Sequence, residues 1–240
     1  MKINFTGSDL ESIPEKERII FVKITNVFNE FNILQKIILI SIPKAIDFIE
    51  NKGRLVQLQF FNKILVGKLY ECWLMVKRDF IDEELLKTYE TILSEKSKDC
   101  LQNLMIYFGF EDSEIMRTIR NKYAFHYDRD TTIRQIQNIP SNLRLEMFIA
   151  EEYVNCLFSF SEGLIIYDIF EQIDPLNLEE AAKKFIQISI DLTEWFQTFF
   201  QGFITIIGKK YFSKRIEIIE VDDPPNLENL EFPYFIKRPN

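Results

Sequence analysis

The fold class of this chain is decided by residues 185–203, which read FIQISIDLTEWFQTFFQGF. Apolar residues recur there every three or four positions, which is the spacing of a helix face and not of a strand. The recurring residues are Phe185, Ile188, Leu192, Phe196, Phe199 and Phe203. With its flanks, the stretch predicts one long helix to about Gly208, opened by Asn177 and Glu180 as a capping pair. The aromatic residues run nearly all round this helix, which favours burial in a subunit interface over a ligand pocket.

Similar periodicity extends upstream. It predicts two long helices, over residues 19–49 and 55–80. Pro43 should kink or end the first near Ser41 or Ile42, and Gly53 should mark a break before the second. The further predicted elements are helices over 81–95, 100–108 and 143–170, a helix starting at Glu114 after a cap at Asp112 or Ser113, and a loop over 128–142. The chain is therefore predicted to be mostly helical.

The composition agrees with an all-α class. The 240 residues include 23 phenylalanines but only 7 glycines and 8 prolines, too few for a many-stranded β protein. The length suits one helical domain, residues 1–208, with a C-terminal extension, 209–240, that packs on or docks the bundle. Within the extension, Arg215–Val221 is predicted to be a short strand or a helical turn.

Charge and cysteine usage exclude several classes of function. A formal net charge of −8 argues against broad coating of nucleic acid, which needs many Lys and Arg contacts to phosphates. Three well-separated cysteines fit a reducing cytoplasm, and with a single histidine we expect no His-rich metal centre and no cofactor. No apolar stretch approaches the roughly 18 uncharged residues of a membrane span, and no signal peptide is recognisable.

One basic stretch interrupts the acidic sequence. Its charged residues are Arg117, Arg120, Lys122, Arg129 and Arg134 against Asp128 and Asp130. It contains the single histidine, His126, within residues 119–127, which read IRNKYAFHY. An imidazole is the side chain best suited to proton transfer near neutral pH, and arginine and asparagine are suited to binding a phosphate. The segment is therefore the candidate functional site.

This segment resembles the signature of HEPN domains (higher eukaryote and prokaryote nucleotide-binding). That signature is an arginine, usually followed by a polar residue such as asparagine, and then a histidine after four to six intervening residues. Here five residues lie between Arg120 and His126. The resemblance covers about nine residues in motif and about 19–208 in architecture. It implies a HEPN-like helical bundle, which we expect to hold about five to seven helices with an extended C-terminal tail.

Many members of that family are metal-independent ribonucleases of toxin–antitoxin, abortive-infection and CRISPR-associated defence systems. The resemblance implies a cytoplasmic endoribonuclease whose site is shared between the two subunits of a homodimer. His126 would transfer protons, Arg120 would bind the phosphate, and Asn121 would orient the phosphate or brace the arginine. Lys122, Arg117 and Tyr127 are the candidate RNA contacts, although Lys122 and Arg117 also fit solvated surface charges. Cleavage is expected of RNA and not of DNA, which lacks the 2′-hydroxyl.

The spacing adds a geometric condition. On a straight α-helix, Arg120 and His126 lie about 120° apart, so they converge only if the helix ends or bends near Phe125, or if a second subunit contributes. Some toxins of this family are silenced by AMP transfer to a tyrosine two residues after the histidine. Asp128 occupies that position here, which argues against such an antitoxin.

Two alternatives remain open. In the first, the chain is a non-catalytic interaction or nucleotide-binding module in which the motif stabilises a dimer or holds a phosphate. In the second, it is a sensor or scaffold subunit of a larger defence assembly and docks a partner protein through Tyr234, Phe235 and Ile236.

Overall fold

The computed structural model describes residues 2–43, 47–109, 113–125, 128–139, 141–213, 216–217, 219 and 223–237. Within these ranges the chain is all-α, as predicted. The α-helices are α1 (Gly7–Glu11), α2 (Glu15–Ser41), α3 (Phe48–Val76), α4 (Leu85–Tyr89), α5 (Glu95–Gly109), α6 (Glu114–Thr118), α7 (Arg129–Gln137), α8 (Ser159–Ile173) and α9 (Leu178–Phe212). Two π-helical segments, Lys77–Ile81 and Ile119–Ala124, follow α3 and α6. β1 (Lys2–Ile3) pairs antiparallel with β2 (Ile216–Glu217).

Several helix boundaries follow from local chemistry that the sequence displays. α2 ends at Ser41, ahead of Pro43, as predicted. α9 starts after Asn177, whose Oδ1 accepts a hydrogen bond from the Glu180 backbone N–H at 3.1 Å, so this cap is also confirmed. α9 continues to Phe212, past the predicted end. The domain boundary after residue 208 stays a prediction, and the Asp112 cap lies outside the described residues.

The predicted break at Gly53 is wrong. Gly53 lies inside α3 and is buried. A Cβ placed on it would overlap the ring of Tyr234. The glycine therefore gives the C-terminal segment close access to the helix and does not break it.

Two other predictions are also wrong, for residues 128–142 and 143–170. The first range contains α7, because the Asp128 side chain accepts from the Thr131 backbone N–H at 2.8 Å and caps a helix there. The second becomes α-helical only at Ser159, after a single 3-10 turn at Tyr153–Asn155. Before that, Phe148 and Leu157 form an antiparallel bridge with backbone hydrogen bonds of 2.7 and 2.8 Å, which an α-helix does not allow.

The chain divides into two compact units, each built from three separate stretches. Unit 1 comprises Met1–Asn32, Leu69–Ser113 and Ile190–Pro224. Its core is aromatic: the Phe80 ring packs edge-on against Phe199 and Phe203, at centroid distances of 5.1 and 5.6 Å. Phe196, Phe199, Phe200 and Phe203 of α9 are fully buried within the single chain. The interpretation of these aromatic residues as a subunit interface is therefore wrong, since neighbouring helices already cover them.

Unit 2 comprises Ile33–Lys68, Glu114–Ser189 and Pro225–Asn240. Its C-terminal segment packs on α3, where the Glu50 carboxylate accepts from the backbone N–H groups of Tyr234 and Phe235 at 2.9 and 3.2 Å. Buried Arg54 pairs with Glu50 and Glu231 at 2.9 and 2.8 Å. The Tyr234 hydroxyl donates to the Cys156 carbonyl at 2.7 Å. Ile236 exchanges two backbone hydrogen bonds with the Asn155 side chain, both at 2.9 Å. All three residues expected to dock a partner protein thus make hydrogen bonds within the chain.

Candidate functional site

The Arg-Asn motif lies on the π-helical segment Ile119–Ala124, named the motif helix below, which continues α6. Met116, Ile119 and Tyr123 are buried, at spacings of three and four residues. This apolar stripe fixes the rotation of the segment, because these side chains must face the core. The stripe leaves Arg120 half-buried and Asn121 exposed on the remaining surface.

The two described catalytic candidates contact each other directly. Arg120 Nη1 donates to Asn121 Oδ1 at 2.7 Å. A guanidinium carries five N–H donors in a planar fork, and this bond directs one of them at Asn121. The predicted bracing role of Asn121 has this contact as its structural basis.

The motif helix ends just ahead of the histidine. π-Helical geometry closes hydrogen bonds between residues five apart and is frequent at functional sites. Ala124 is the last helical residue, and Phe125 leaves helical geometry with φ −128° and ψ −7°. The 120° argument for a straight helix therefore does not apply to this segment. His126 and Tyr127 lie outside the described residues.

A buried polar cluster anchors the motif helix to α8. The Tyr123 hydroxyl donates to Asp168 Oδ2, and Arg134 Nη2 donates to the same oxygen at 2.8 Å. Gln172 Nε2 donates to the Tyr123 hydroxyl and to the Asp168 carbonyl, at 3.1 and 3.0 Å. Burial, followed by the contact with Asp168, raises the pKa of Tyr123. The hydroxyl therefore stays a neutral donor and holds the motif helix in place.

Close packing against α3 provides a second anchor. A Cβ placed on Gly67 would lie 2.7 Å from the Phe125 ring and 3.0 Å from the Ala124 Cβ. Only a glycine allows the end of the motif helix to approach α3 this closely.

A cavity of about 170 Å³ adjoins the motif helix. Lys122 and Phe125 line one part of it, and Phe60 of α3 lines another. Its other polar residues are Lys63 of α3, Glu162 of α8, Thr131, Thr132 and Gln135 of α7, Asp128 at the α7 cap, and Tyr123 of the motif helix. Lys63 Nζ donates to Glu162 Oε1 at 2.7 Å, and the Lys63 side chain is 5% exposed. Lysine and glutamate are rarely this well buried in a protein core, and here the pair lies beside the candidate site.

The candidate RNA contacts occupy different environments. Arg117 is exposed and pairs with Glu114 one turn earlier on α6. Lys122 is half-buried and faces the cavity. The structure thus brings Arg120 next to Asn121 and Lys122 next to the cavity, whereas Arg117 belongs to the solvated surface.

Sequence reasoning missed the residues that support the motif from other helices. Asp168 stands inside the apolar run at 163–170, and Lys63 interrupts the core stripe of α3. A charge in an otherwise apolar stripe is a signal that it has a buried partner. The identity of that partner requires the fold.

The described residues contain no group of three or more His, Cys, Asp or Glu side chains arranged to hold a metal ion. Cys72, Cys100 and Cys156 are free thiols. None of the described helices combines the length and apolar character needed to cross a bilayer. Comparisons with protein-family models, with curated proteins and with solved structures found no match to this chain.

Proposed function

We propose that this chain is a metal-independent endoribonuclease of a HEPN-like kind, acting in a defence or toxin–antitoxin system at a site shared by a homodimer. The observation that carries the proposal is the contact between Arg120 and Asn121 within a short π-helical segment. In the sequence, the single histidine follows that segment after one residue, Phe125. A phosphate-binding guanidinium therefore stands close in the chain to a side chain suited to proton transfer.

The reaction needs few protein groups. The RNA 2′-oxygen forms a bond to the adjacent phosphorus, and the bond from phosphorus to the 5′-oxygen of the next nucleotide breaks. One proton leaves the 2′-hydroxyl and one reaches the departing 5′-oxygen, which gives a 2′,3′-cyclic phosphate and a 5′-hydroxyl. His126 serves one or both proton transfers, and Arg120 stabilises the charge that develops on the phosphate.

The anchoring of the motif helix also supports the proposal. Catalytic groups must be held close to their productive geometry by neighbours that are themselves fixed. Tyr123 provides this through Asp168, and Gly67 provides it through close packing.

The test is cleavage of a mixed, end-labelled RNA in EDTA by the wild type and by His126→Ala and Arg120→Ala. Each substitution should lower the rate about 100-fold or more, because each removes a proton carrier or a charge stabiliser. The products should end in a cyclic phosphate, and DNA of the same sequence should stay intact. Arg144→Ala is the matched control, since Arg144 is 88% exposed, pairs with Glu146 and lies outside the motif segment in the sequence.

Equal cleavage by the wild type and His126→Ala would contradict the proposal and assign the activity to a contaminant or to another site. Absence of cleavage by a folded wild-type dimer, with its mass measured by light scattering, would favour the non-catalytic binding module.

A further inference from the structure

We propose that the cavity beside the motif helix binds a guanine base of the RNA and so selects the cleavage position. This inference rests on the proposed ribonuclease function for its role in cleavage, but not for the binding itself. The cavity volume of about 170 Å³ lies below the roughly 300–1,000 Å³ of sites for drug-sized ligands. It suits one ring system and not a whole nucleotide.

Two buried polar atoms of residues that line the cavity lack a hydrogen-bond partner among the described residues. They are Gln135 Nε2, a donor, and Glu162 Oε2, an acceptor. Gln135 is only 9% exposed. A buried polar group without a partner destabilises the fold, so such groups are normally satisfied by a neighbour, a water or a ligand. A ligand that offers both an acceptor and a donor would satisfy these two groups.

The Lys63–Glu162 pair favours guanine over the other three bases. Glu162 presents a carboxylate, and guanine is the base whose Watson–Crick edge offers two adjacent N–H donors, N1–H and N2–H. Adenine, cytosine and uracil each place an acceptor next to their donor, which repels a second carboxylate oxygen. Guanine also carries the O6 and N7 acceptors, which lysine and amide donors commonly bind. Lys63 and Gln135 supply both kinds of donor on the walls of the same cavity.

Aromatic side chains complete the site. Phe60 and Phe125 line the cavity and remain 45% and 43% exposed. Half-exposed aromatic rings offer a face on which an unstacked base packs, and proteins that read single-stranded RNA combine such stacking with hydrogen bonds to the base edge. Lys122, Tyr123 and Ala124 of the motif helix also line the cavity, so a base held here would contact the helix that carries Arg120.

The first test measures calorimetric binding of the four nucleoside 3′-monophosphates to the full chain. These probes share the sugar and phosphate and differ only in the base. We expect the guanosine form to bind about tenfold tighter or more than the other three, the discrimination of one good bidentate contact. Equal affinities for the wild type would overturn the proposal, and this measurement depends on no variant folding.

Two matched variants distinguish loss of the cavity carboxylate from loss of a lysine–glutamate ion pair elsewhere on α3. Glu162→Gln keeps the shape but removes the carboxylate, so the guanosine preference should disappear. Glu146→Gln is the control, because Glu146 also pairs with a lysine of α3, Lys52, but does not line this cavity. A preference that survives Glu162→Gln, or one that Glu146→Gln also removes, would overturn the assignment.

Mapping of cleavage positions distinguishes failure of this inference from failure of the proposed function. Guanosine-selective binding without any RNA cleavage would leave the base site standing and contradict the ribonuclease. Cleavage at all four nucleotides with no selective binding would support the ribonuclease and overturn the base site. Cleavage beside guanine that Glu162→Gln makes unselective would support both.

Discussion

The two units fill their interiors in different ways. Unit 1 packs aromatic rings together: Phe80, Phe199 and Phe203 are fully buried, and the Phe80 ring contacts the other two. Unit 2 buries more charge: Lys63, Arg54 and Asp168 are each at most 4% exposed, whereas Glu17, at 7%, is the buried charged residue among the described residues of unit 1. Apolar packing stabilises a fold without directional requirements, whereas a buried charge must be matched by a partner of defined geometry. Unit 2, which has more of these buried charges, is also the unit that contains the motif helix.

The difference suggests a division of labour. Sequences depart from the rules of stable packing mainly at functional sites. Unit 2 departs from them around the motif helix, where Tyr123, Asp168 and the Lys63–Glu162 pair form the interior. Single substitutions in each of the two units test this comparison.

The largest expected effect is on the aromatic core of unit 1. Phe80→Ala should lower the free energy of unfolding by about 3–5 kcal/mol, because it leaves a cavity among rings that cannot collapse around it. Phe60→Ala, at a half-exposed phenylalanine of unit 2, should cost about 1 kcal/mol. Urea denaturation of both variants measures the contrast. Similar losses would show that the two interiors contribute alike and break the comparison.

The next effect concerns the anchor of the motif helix. Asp168→Ala should cost about 3 kcal/mol, since it leaves Tyr123 and Arg134 without their shared acceptor. Tyr123→Phe should cost only about 1 kcal/mol, because the contact between Arg134 and Asp168 remains. Thermal or urea unfolding gives both values. The anchor would be misassigned if Tyr123→Phe were as damaging as Asp168→Ala.

A smaller effect on the free energy of unfolding depends on pH and concerns Asp79 of unit 1. The Arg78 guanidinium, together with Lys23, lowers the pKa of Asp79 to about 2. A depressed pKa in the folded state means that the stabilisation exists above about pH 4 and is lost as the pH falls towards 2. Asp79→Asn should therefore cost about 2 kcal/mol at pH 7 and almost nothing near pH 2. Urea unfolding of wild type and variant across this range measures the difference. A difference independent of pH would exclude ionisation of Asp79 as its source.

The parts of the fold that sequence reasoning predicted are those fixed by local chemistry. Pro43 ends α2 and Asn177 opens α9, because each acts on its own backbone neighbourhood. Residues 143–158 have helical periodicity but form no α-helix, and Ile149 and Tyr153 of that stretch are exposed. Periodicity alone does not reveal that Phe148 pairs with Leu157. Asp128 was a readable helix cap that the loop interpretation overlooked.

The candidate site divides in the same way. The contact between Arg120 and Asn121 joins adjacent residues, so it can be expected from the sequence of the motif alone. The partners of Tyr123 and Lys63 come from α7 and α8, far along the chain, and only the packing of helices brings them together. The cavity is likewise a property of three-dimensional packing, since its polar groups come from α3, α7, α8 and the motif helix.

The interleaved construction of the units has a consequence for how the protein is made. Glu17 in α2 accepts from Lys210 in α9, a sequence separation of 193 residues, and Phe80 meets Phe199. Such non-local contacts fold slowly, because a long loop must close before any contact stabilises it. On the ribosome, the aromatic core of unit 1 stays open until α9 has emerged, and the motif helix emerges before Asp168, its anchor. The site therefore reaches its final geometry only late in synthesis.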